Sequence, residues 1–329
     1  MPAAAPDLLT IRDLRTHFFA PRGVVRAVDG VSIAVGDGEA IGIVGESGSG
    51  KSMTALSVLR LVPSPGRIVG GAIALAGRDL LALDERAMRQ VRSADIAMIF
   101  QDAGSYLNPI MTIGDQISEA FGRRGSWAPA DRARVMTALD DVRIADPARV
   151  AASYPHELSG GMQQRAMIAA ALVRKPRLII ADEPTTALDA TVQRDVLALL
   201  RDLRARNNLA LMLISHDLAV VADICDRVYI MYAGQVIESG PTRATFQAPR
   251  HPYTRALVDA ILDPWEPRRE LVPLDGDPPD MAAPPAGCRF HPRCPAVMEI
   301  CGREAPPASE PAPGQRVACW LHAAREAVP

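Results

Sequence analysis

Gly45-Glu46-Ser47-Gly48-Ser49-Gly50-Lys51-Ser52 sets three glycines, a lysine and a terminal hydroxyl at the spacing G-x-x-x-x-G-K-[ST]. The apolar run Ala40-Ile41-Gly42-Ile43-Val44 precedes it, so the order is buried strand, glycine-rich turn, helix start. That order makes a phosphate site. Glycines let backbone N–H groups converge on phosphate oxygens without side-chain clash, and a helix N-terminus adds donors and a favourable dipole. Lys51 can reach the β- and γ-phosphates, and the Ser52 hydroxyl can ligate Mg²⁺. The chemistry is binding of a nucleoside triphosphate.

Two carboxylates follow a second apolar run, Arg177-Leu178-Ile179-Ile180-Ala181-Asp182-Glu183-Pro184. A continuous apolar run is what a parallel strand buried on both faces requires. Asp182 at its tip can complete the Mg²⁺ coordination sphere, and Glu183 stands where a general base could activate water. Between the two strands, Leu158-Ser159-Gly160-Gly161-Met162-Gln163 opens an apolar helical stretch from Ala166 to Val173. Ser159 with bare glycine N–H groups at a helix start is a second anion site.

The remaining motifs fall in a fixed order. Gln101 follows the apolar strand Ile96–Phe100, Ala187-Leu188-Asp189 sits just past Glu183, and His216 follows the strand Leu211–Ile214. Together with Leu-Ser-Gly-Gly-x-Gln, this set resembles the Q-loop, signature, D-loop and H-loop of ATP-binding-cassette (ABC) ATPases. The fold implied is α/β: a P-loop core with a mixed sheet and helices, an antiparallel β subdomain and a helical subdomain. The resemblance implies that two such domains pack head to tail, with each ATP held between one P-loop and the partner's signature helix. Gly45, Glu46, Ser47, Gly48, Ser49, Gly50, Lys51, Ser52, Gln101, Asp182, Glu183 and His216 would then act in cis. Ser159, Gly160 and Gly161 would contact the nucleotide on the opposite subunit. Glu183 would be the base, His216 would steady the γ-phosphate, and Gln101 would join the Mg²⁺ site to a segment sensing the transport domains. Phe18 lies where the family places an aromatic against adenine, with Phe19 as the neighbouring candidate.

Composition sets limits on these readings. The chain has 329 residues, a net charge of −2 and a pI near 6.3, so no sequence-wide basic field points to nucleic acid. Arg123, Arg124, Arg132 and Arg134 read as a solvated helical face. No apolar run reaches the ~18–20 residues of a membrane span, and Met1–Asp7 carries no basic segment leading into an apolar core. The expectation is a protein kept in the cytoplasm, peripheral to the membrane through partners.

A coarse pass organises the chain. Leu9–Val35 alternates apolar and polar residues around Gly/Asp turns, as an antiparallel sheet does, and Ile68–Ala76 reads as another strand. From about 105 to 160 no buried strand pattern occurs; Ile117–Phe121 and Arg132–Leu139 read as helices punctuated by Pro109, Pro129 and Pro147. Strand and helix alternate from Leu178 to about Tyr232, which predicts a parallel core. There is no internal repeat, so one chain supplies half of an ATPase pair. A nucleotide-binding domain over 8–262 and a C-terminal extension over 263–329 are the expected division.

That extension holds 14 of the 28 prolines between Pro264 and Pro329, and Cys288, Cys294, Cys301 and Cys319 of the five cysteines. Proline at this density disfavours regular helix and central strand. In a reducing compartment four cysteines read as a metal or reactive group rather than disulfides. The C-x2–4-C pairs common in zinc sites are missing; four thiolates can equally hold a [4Fe–4S] cluster, and unligated thiols on a loose arm are the third reading. The expectation carried forward is the cluster, cross-linking a segment too poor in apolar residues to build its own core. Cys225 stands apart, as a small packed residue.

Tyr154-Pro155-His156-Glu157, Arg250-His251-Pro252-Tyr253-Thr254 and Gly287-Cys288-Arg289-Phe290-His291-Pro292-Arg293-Cys294-Pro295 narrow the resemblance to dipeptide/oligopeptide importer ATPases, from about Leu8 to Leu321. That family implies two transmembrane permease subunits, a second ATPase subunit forming a heterodimer, an extracytoplasmic peptide-binding protein, and in some members an iron–sulfur cluster on this cysteine pattern. Nickel and glutathione importers share much of the cassette. Ala103, Gly104 and Tyr106 depart from the usual residues after Gln101. Insertions expected of DNA-repair ABC ATPases have no room between Ser52 and Leu158, and the second cassette of translation-associated ones is absent. A regulatory cassette would lack Glu183 or His216.

Overall fold

A computed structural model of the chain describes residues 7–21, 23–121, 128–186, 188–260 and 275–323. Arg123, Arg124, Ala187, the Met1–Pro6 start and the 261–274 part of the extension lie outside these residues. The chain divides into two compact units, one of residues 1–36, 40–82 and 213–329, the other of residues 37–39 and 83–212.

The first unit opens with β1 (Leu9–Ala20) and β2 (Gly23–Val35), followed by β3 (Ala40–Val44), α1 (Lys51–Val58), β4 (Gly66–Leu75) and β5 (Arg78–Asp79). β2-β1-β4-β5 form the expected antiparallel sheet. Ile11, Leu14, Val31, Ile33 and Ile73 point into its core and are buried, while the alternate residues face outward. Thr16, fully buried, joins Ser57 of α1 across 2.8 Å between hydroxyls, which pins this sheet to the helix that follows the glycine loop. β3 is buried along its whole length.

The second unit runs through α2 (Glu85–Ala94), β6 (Ile96–Ile99), α3 (Ala103–Tyr106), α4 (Ile113–Glu119), α5 (Pro129–Asp141), α6 (Pro147–Ala152), α7 (Gly160–Leu172), β7 (Leu178–Asp182), α8 (Ala190–Asn207) and β8 (Ala210–Ile214), where the chain returns to the first unit. β6 and β7 pair in parallel, and β7 and β8 are buried at every position. Between Ser105 and Leu158 no strand occurs among the described residues, as expected. The helices begin earlier than their apolar periodicity suggests. The one placed at Ile117–Phe121 is α4, started by Thr112, whose hydroxyl accepts from the Asp115 N–H. Pro129 and Pro147 open α5 and α6 rather than ending helices, because proline's missing N–H costs nothing in a first turn. Arg132 and Arg134 lie exposed on α5.

The first unit resumes with α9 (Leu218–Ile224), β9 (Arg227–Tyr232), β10 (Gln235–Pro241), α10 (Thr242–Gln247), α11 (Pro252–Asp259), β11 (Ala308–Ala312) and β12 (Gln315–Ala318). Its strand order β11-β12-β10-β9-β3 is antiparallel except for β3 and β9, which pair in parallel. Cys225 is buried at the end of α9. The proline-rich tail does not stand outside a core. β12 pairs with β10, Val317 is buried, and Phe290, 1% exposed, packs among Tyr232, Tyr253 and His251 at ring separations of 5.2–5.5 Å. Proline disfavours a central strand, yet β11 takes the sheet edge, where a missing N–H is tolerated.

Candidate nucleotide site and cysteine pocket

The predicted residues divide between the units. Phe18, the glycine loop, His216 and the four cysteines belong to the first; Gln101, Ser159, Gly160, Gly161, Asp182 and Glu183 belong to the second.

The glycine loop connects β3 to α1. Gly50, which precedes the helix, has φ 101°, and a Cβ there would stand 2.3 Å from the Ala27 carbonyl oxygen, so only glycine fits. Lys51, 6% exposed, turns its ammonium back to donate to the Gly45 and Glu46 carbonyls at 2.7 and 2.9 Å. This holds the loop closed on itself with a cation inside its curve. Ser52 occupies the first turn of α1, exposed. The Glu46 N–H donates to the Tyr253 hydroxyl at 2.9 Å. The Glu46 carboxylate receives both terminal nitrogens of Arg293, at 2.8 and 3.2 Å. The Gly234 N–H donates to the Ser49 carbonyl at 2.9 Å.

Phe18 is half-buried, its ring edge so close to Gly66 that a Cβ there would meet it at 2.7 Å. Phe19 is 38% exposed under the Arg67 guanidinium, 4.1 Å from its ring centre. His216 is exposed just past β8, and Asp217 beside it caps α9 through the Ala219 and Val220 N–H groups.

In the second unit the sequence order brings three residues together. Asp182, buried, ends β7, and Glu183 follows at φ 45°. A left-handed glutamate costs on the order of 1–3 kcal/mol, and such strain collects at functional sites. The Glu183 carboxylate accepts from Gln101 Nε2 at 3.2 Å and from the Thr186 hydroxyl at 2.9 Å. Gln101 was legible as a motif; Thr186 was not, since its role comes from the tight turn after β7. Ser159 caps α7, its hydroxyl accepting from the Met162 N–H. A Cβ at Gly160 would make only ordinary contact with Leu188 Cδ2 at 3.9 Å, while one at Gly161 would meet Val192 Cγ1 at 2.7 Å.

The residues after Gln101 that depart from the expected pattern form α3. Asp102 caps it, and hydrogen bonds from Ser105 and the Gly104 N–H hold its carboxyl below the usual range. Tyr106 stacks on Phe100 at 3.9 Å with 9° between planes. It remains 60% exposed, beside Ile110 at 82%.

Cys288, Cys294, Cys301 and Cys319 line one narrow pocket with His251, Phe290 and Trp320. All four are free thiols. Burial and the neighbouring cysteines push the Cys288 thiol up to about 11, and burial raises Cys294 and Cys319. Among the described residues no group of three or more His, Cys, Asp or Glu converges as a metal site.

Comparison with known proteins places the chain. The ABC transporter profile matches residues 28–186, and the profile of the oligopeptide/dipeptide transporter C-terminal region matches residues 237–301. A probable peptide ABC transporter ATP-binding protein of Sinorhizobium fredii is 49% identical over 95% of this chain and 94% of its own. The chain belongs to the oligopeptide/dipeptide branch of the ABC transporter ATP-binding proteins. The oligopeptide transport ATP-binding protein OppD of Salmonella typhimurium is 44% identical over 97% of this chain and 95% of its own length. The dipeptide transport ATP-binding protein DppD of Escherichia coli is 44% identical over 95% and 96%. Among solved structures, the dimeric ABC transporter cassette MJ0796 is 26% identical, with a TM-score of 0.64 over 71% of this chain and 99% of that one. The same cassette in a dimeric post-hydrolysis state bound to ADP and Pi matches equally. The fold is therefore that of an ABC ATPase, and the chain is an ATPase subunit. Among the described residues no helix is long and apolar enough to cross a membrane.

Proposed function

We propose that this chain is the ATP-hydrolysing subunit that powers import of dipeptides or oligopeptides through a membrane ABC transporter. The observation that carries the substrate class is the near full-length likeness to peptide-transport ATP-binding proteins, tail included. Lys51 and the loop N–H groups hold the β- and γ-phosphates. Ser52, Asp182 and Gln101 would hold Mg²⁺, which when bound supplies positive charge to offset that developing on the phosphates. Glu183 takes the proton of the attacking water, its carboxylate aimed by Gln101 and Thr186. His216 steadies the γ-phosphate. Phe18, with Phe19 as the alternative, stacks on adenine. Ser159, Gly160 and Gly161 act on nucleotide bound to a second ATPase, an assembly consistent with the dimeric cassette it resembles.

The exposed Tyr106 and Ile110, next to Gln101, supply an apolar face for two permease subunits at the cytoplasmic side of the membrane, and a peptide-binding protein completes the system outside. Cys288, Cys294, Cys301 and Cys319 hold a [4Fe–4S] cluster. The donor set fits: four free thiols line one pocket, Cys301 and Cys319 buried and Cys288 and Cys294 partly so, and four cysteines are the usual ligands of such a cluster. The raised thiol of Cys288 means that binding must drive deprotonation.

Co-purification of the assembled complex and ATP-dependent peptide uptake into vesicles test the transport reading. Uptake of nickel or glutathione in place of peptides would overturn the substrate class. Anaerobic purification with iron, sulfide and absorption measurements tests the cluster; a colourless protein holding stoichiometric zinc or no metal overturns it.

A further inference from the structure

The tail reaches the phosphate-binding loop itself. The segment Cys288-Arg289-Phe290-His291-Pro292-Arg293-Cys294 is anchored by Phe290, and its two arginines point inward, each with a side chain only 7% exposed. Arg293 forks onto the Glu46 carboxylate and lies 3.3 Å from the Tyr232 hydroxyl. Arg289 pairs with Asp29 and donates to the Ala233 carbonyl at 2.5 Å. Ala233 and Gly234 form the turn after β9, and Gly234 donates to Ser49 of the loop while its own carbonyl accepts from Asp29. Pro278, Pro279 and Met281 line a small cleft with Glu46, Ser47 and Gly48. The loop is thus held from one side by its own helix and from the other by the tail.

We propose that Arg293 is a positioning residue for nucleotide binding, neutralising and fixing Glu46 so that the loop is preorganised for phosphate. The charge argument is direct. Glu46 places a carboxylate in a loop whose ligand is a polyanion, and like charges repel in a partly buried site. A bidentate guanidinium cancels that charge and fixes the carboxylate's direction, which a point-charge lysine does less well. The Tyr253 hydroxyl holds the Glu46 backbone at the same time, so side chain and main chain are both set by residues from the C-terminal third of the chain. The inference rests on the loop being the nucleotide site and is independent of what the cysteines bind.

The test uses the full-length subunit and equilibrium titration with magnesium-ADP, whose phosphates the loop cradles. Arg293→Ala is expected to weaken binding about tenfold, ~1.4 kcal/mol, and Arg293→Lys by less. Adding Glu46→Gln to Arg293→Ala should recover most of the loss, because the offending charge is gone. In the assembled transporter, Arg293→Ala should raise KM for ATP while leaving kcat at saturation near wild type. Lys51→Ala serves as the control that the loop binds the nucleotide at all. Wild-type affinity in Arg293→Ala overturns the proposal. So does a loss that Glu46→Gln fails to relieve, which would mark general unfolding of the tail.

Discussion

Glu183 carries three separable physical burdens: it follows the buried Asp182, sits in a left-handed conformation, and receives two side-chain hydrogen bonds. Replacing it with glutamine preserves shape and removes the base. Glu183→Gln is expected to retain ATP binding while hydrolysis falls ~10²–10⁴-fold, the usual contribution of a general base; phosphate release from the assembled complex measures it, and wild-type turnover would refute the assignment. Thr186→Val should lower turnover less, since Gln101 still aims the carboxylate. Lys51→Ala acts on a different quantity, ATP affinity. At this scale the sequence was most informative, because each motif is short and its chemistry depends on residue type. The roles of Thr186, Tyr253 and Arg293 escaped notice. Tyr253 and Arg293 were visible only as family markers, and nothing local reveals that a residue 247 positions from Glu46 closes on it.

The elements that present these groups depend on close packing as much as on motif. The start of α7 lies against α8 with Gly161 beside Val192. Gly161→Ala inserts a methyl where no room exists and should cost roughly 1–3 kcal/mol, the range for overpacking. Val192→Ala in the same chain opens that space and should restore much of the loss in a thermal melt; no rescue would show that the contact does not limit the site. The start of α7 was legible from Ser159 onward, since a serine before two glycines is a favoured cap. Helix boundaries were less so. α4 begins at Thr112 and α5 and α6 at prolines, signals set by capping rather than by apolar period.

The whole molecule joins a nucleotide site to a cysteine-bearing tail through aromatic packing, a shared sheet and two buried arginines. Phe290→Ala should remove the ring that Tyr232, Tyr253 and His251 surround, costing about 3–5 kcal/mol as a large-to-small core change. Calorimetry should then show earlier loss of the first unit; an unchanged transition would mean that the tail is packed only loosely. A chain with one loop and one signature can complete an ATP sandwich only with a second subunit. ATPase activity of the purified chain is therefore expected to be weak, to rise with concentration and to be stimulated by the permeases. Full activity independent of concentration would contradict this.

The chemistry proposed for the site rests on the sequence alone, because phosphate binding, water activation and anion capping each demand particular residue types at short spacings. The antiparallel sheet, the parallel core strands and the strand-free helical stretch were equally readable, since burial imposes periods of 2 and 3.6 on local sequence. Tertiary structure alone decided that the tail belongs to the first unit's core and that Arg293 lies on Glu46. Those outcomes follow from contacts between distant segments, where complementarity of shape and charge leaves no periodic trace in either segment.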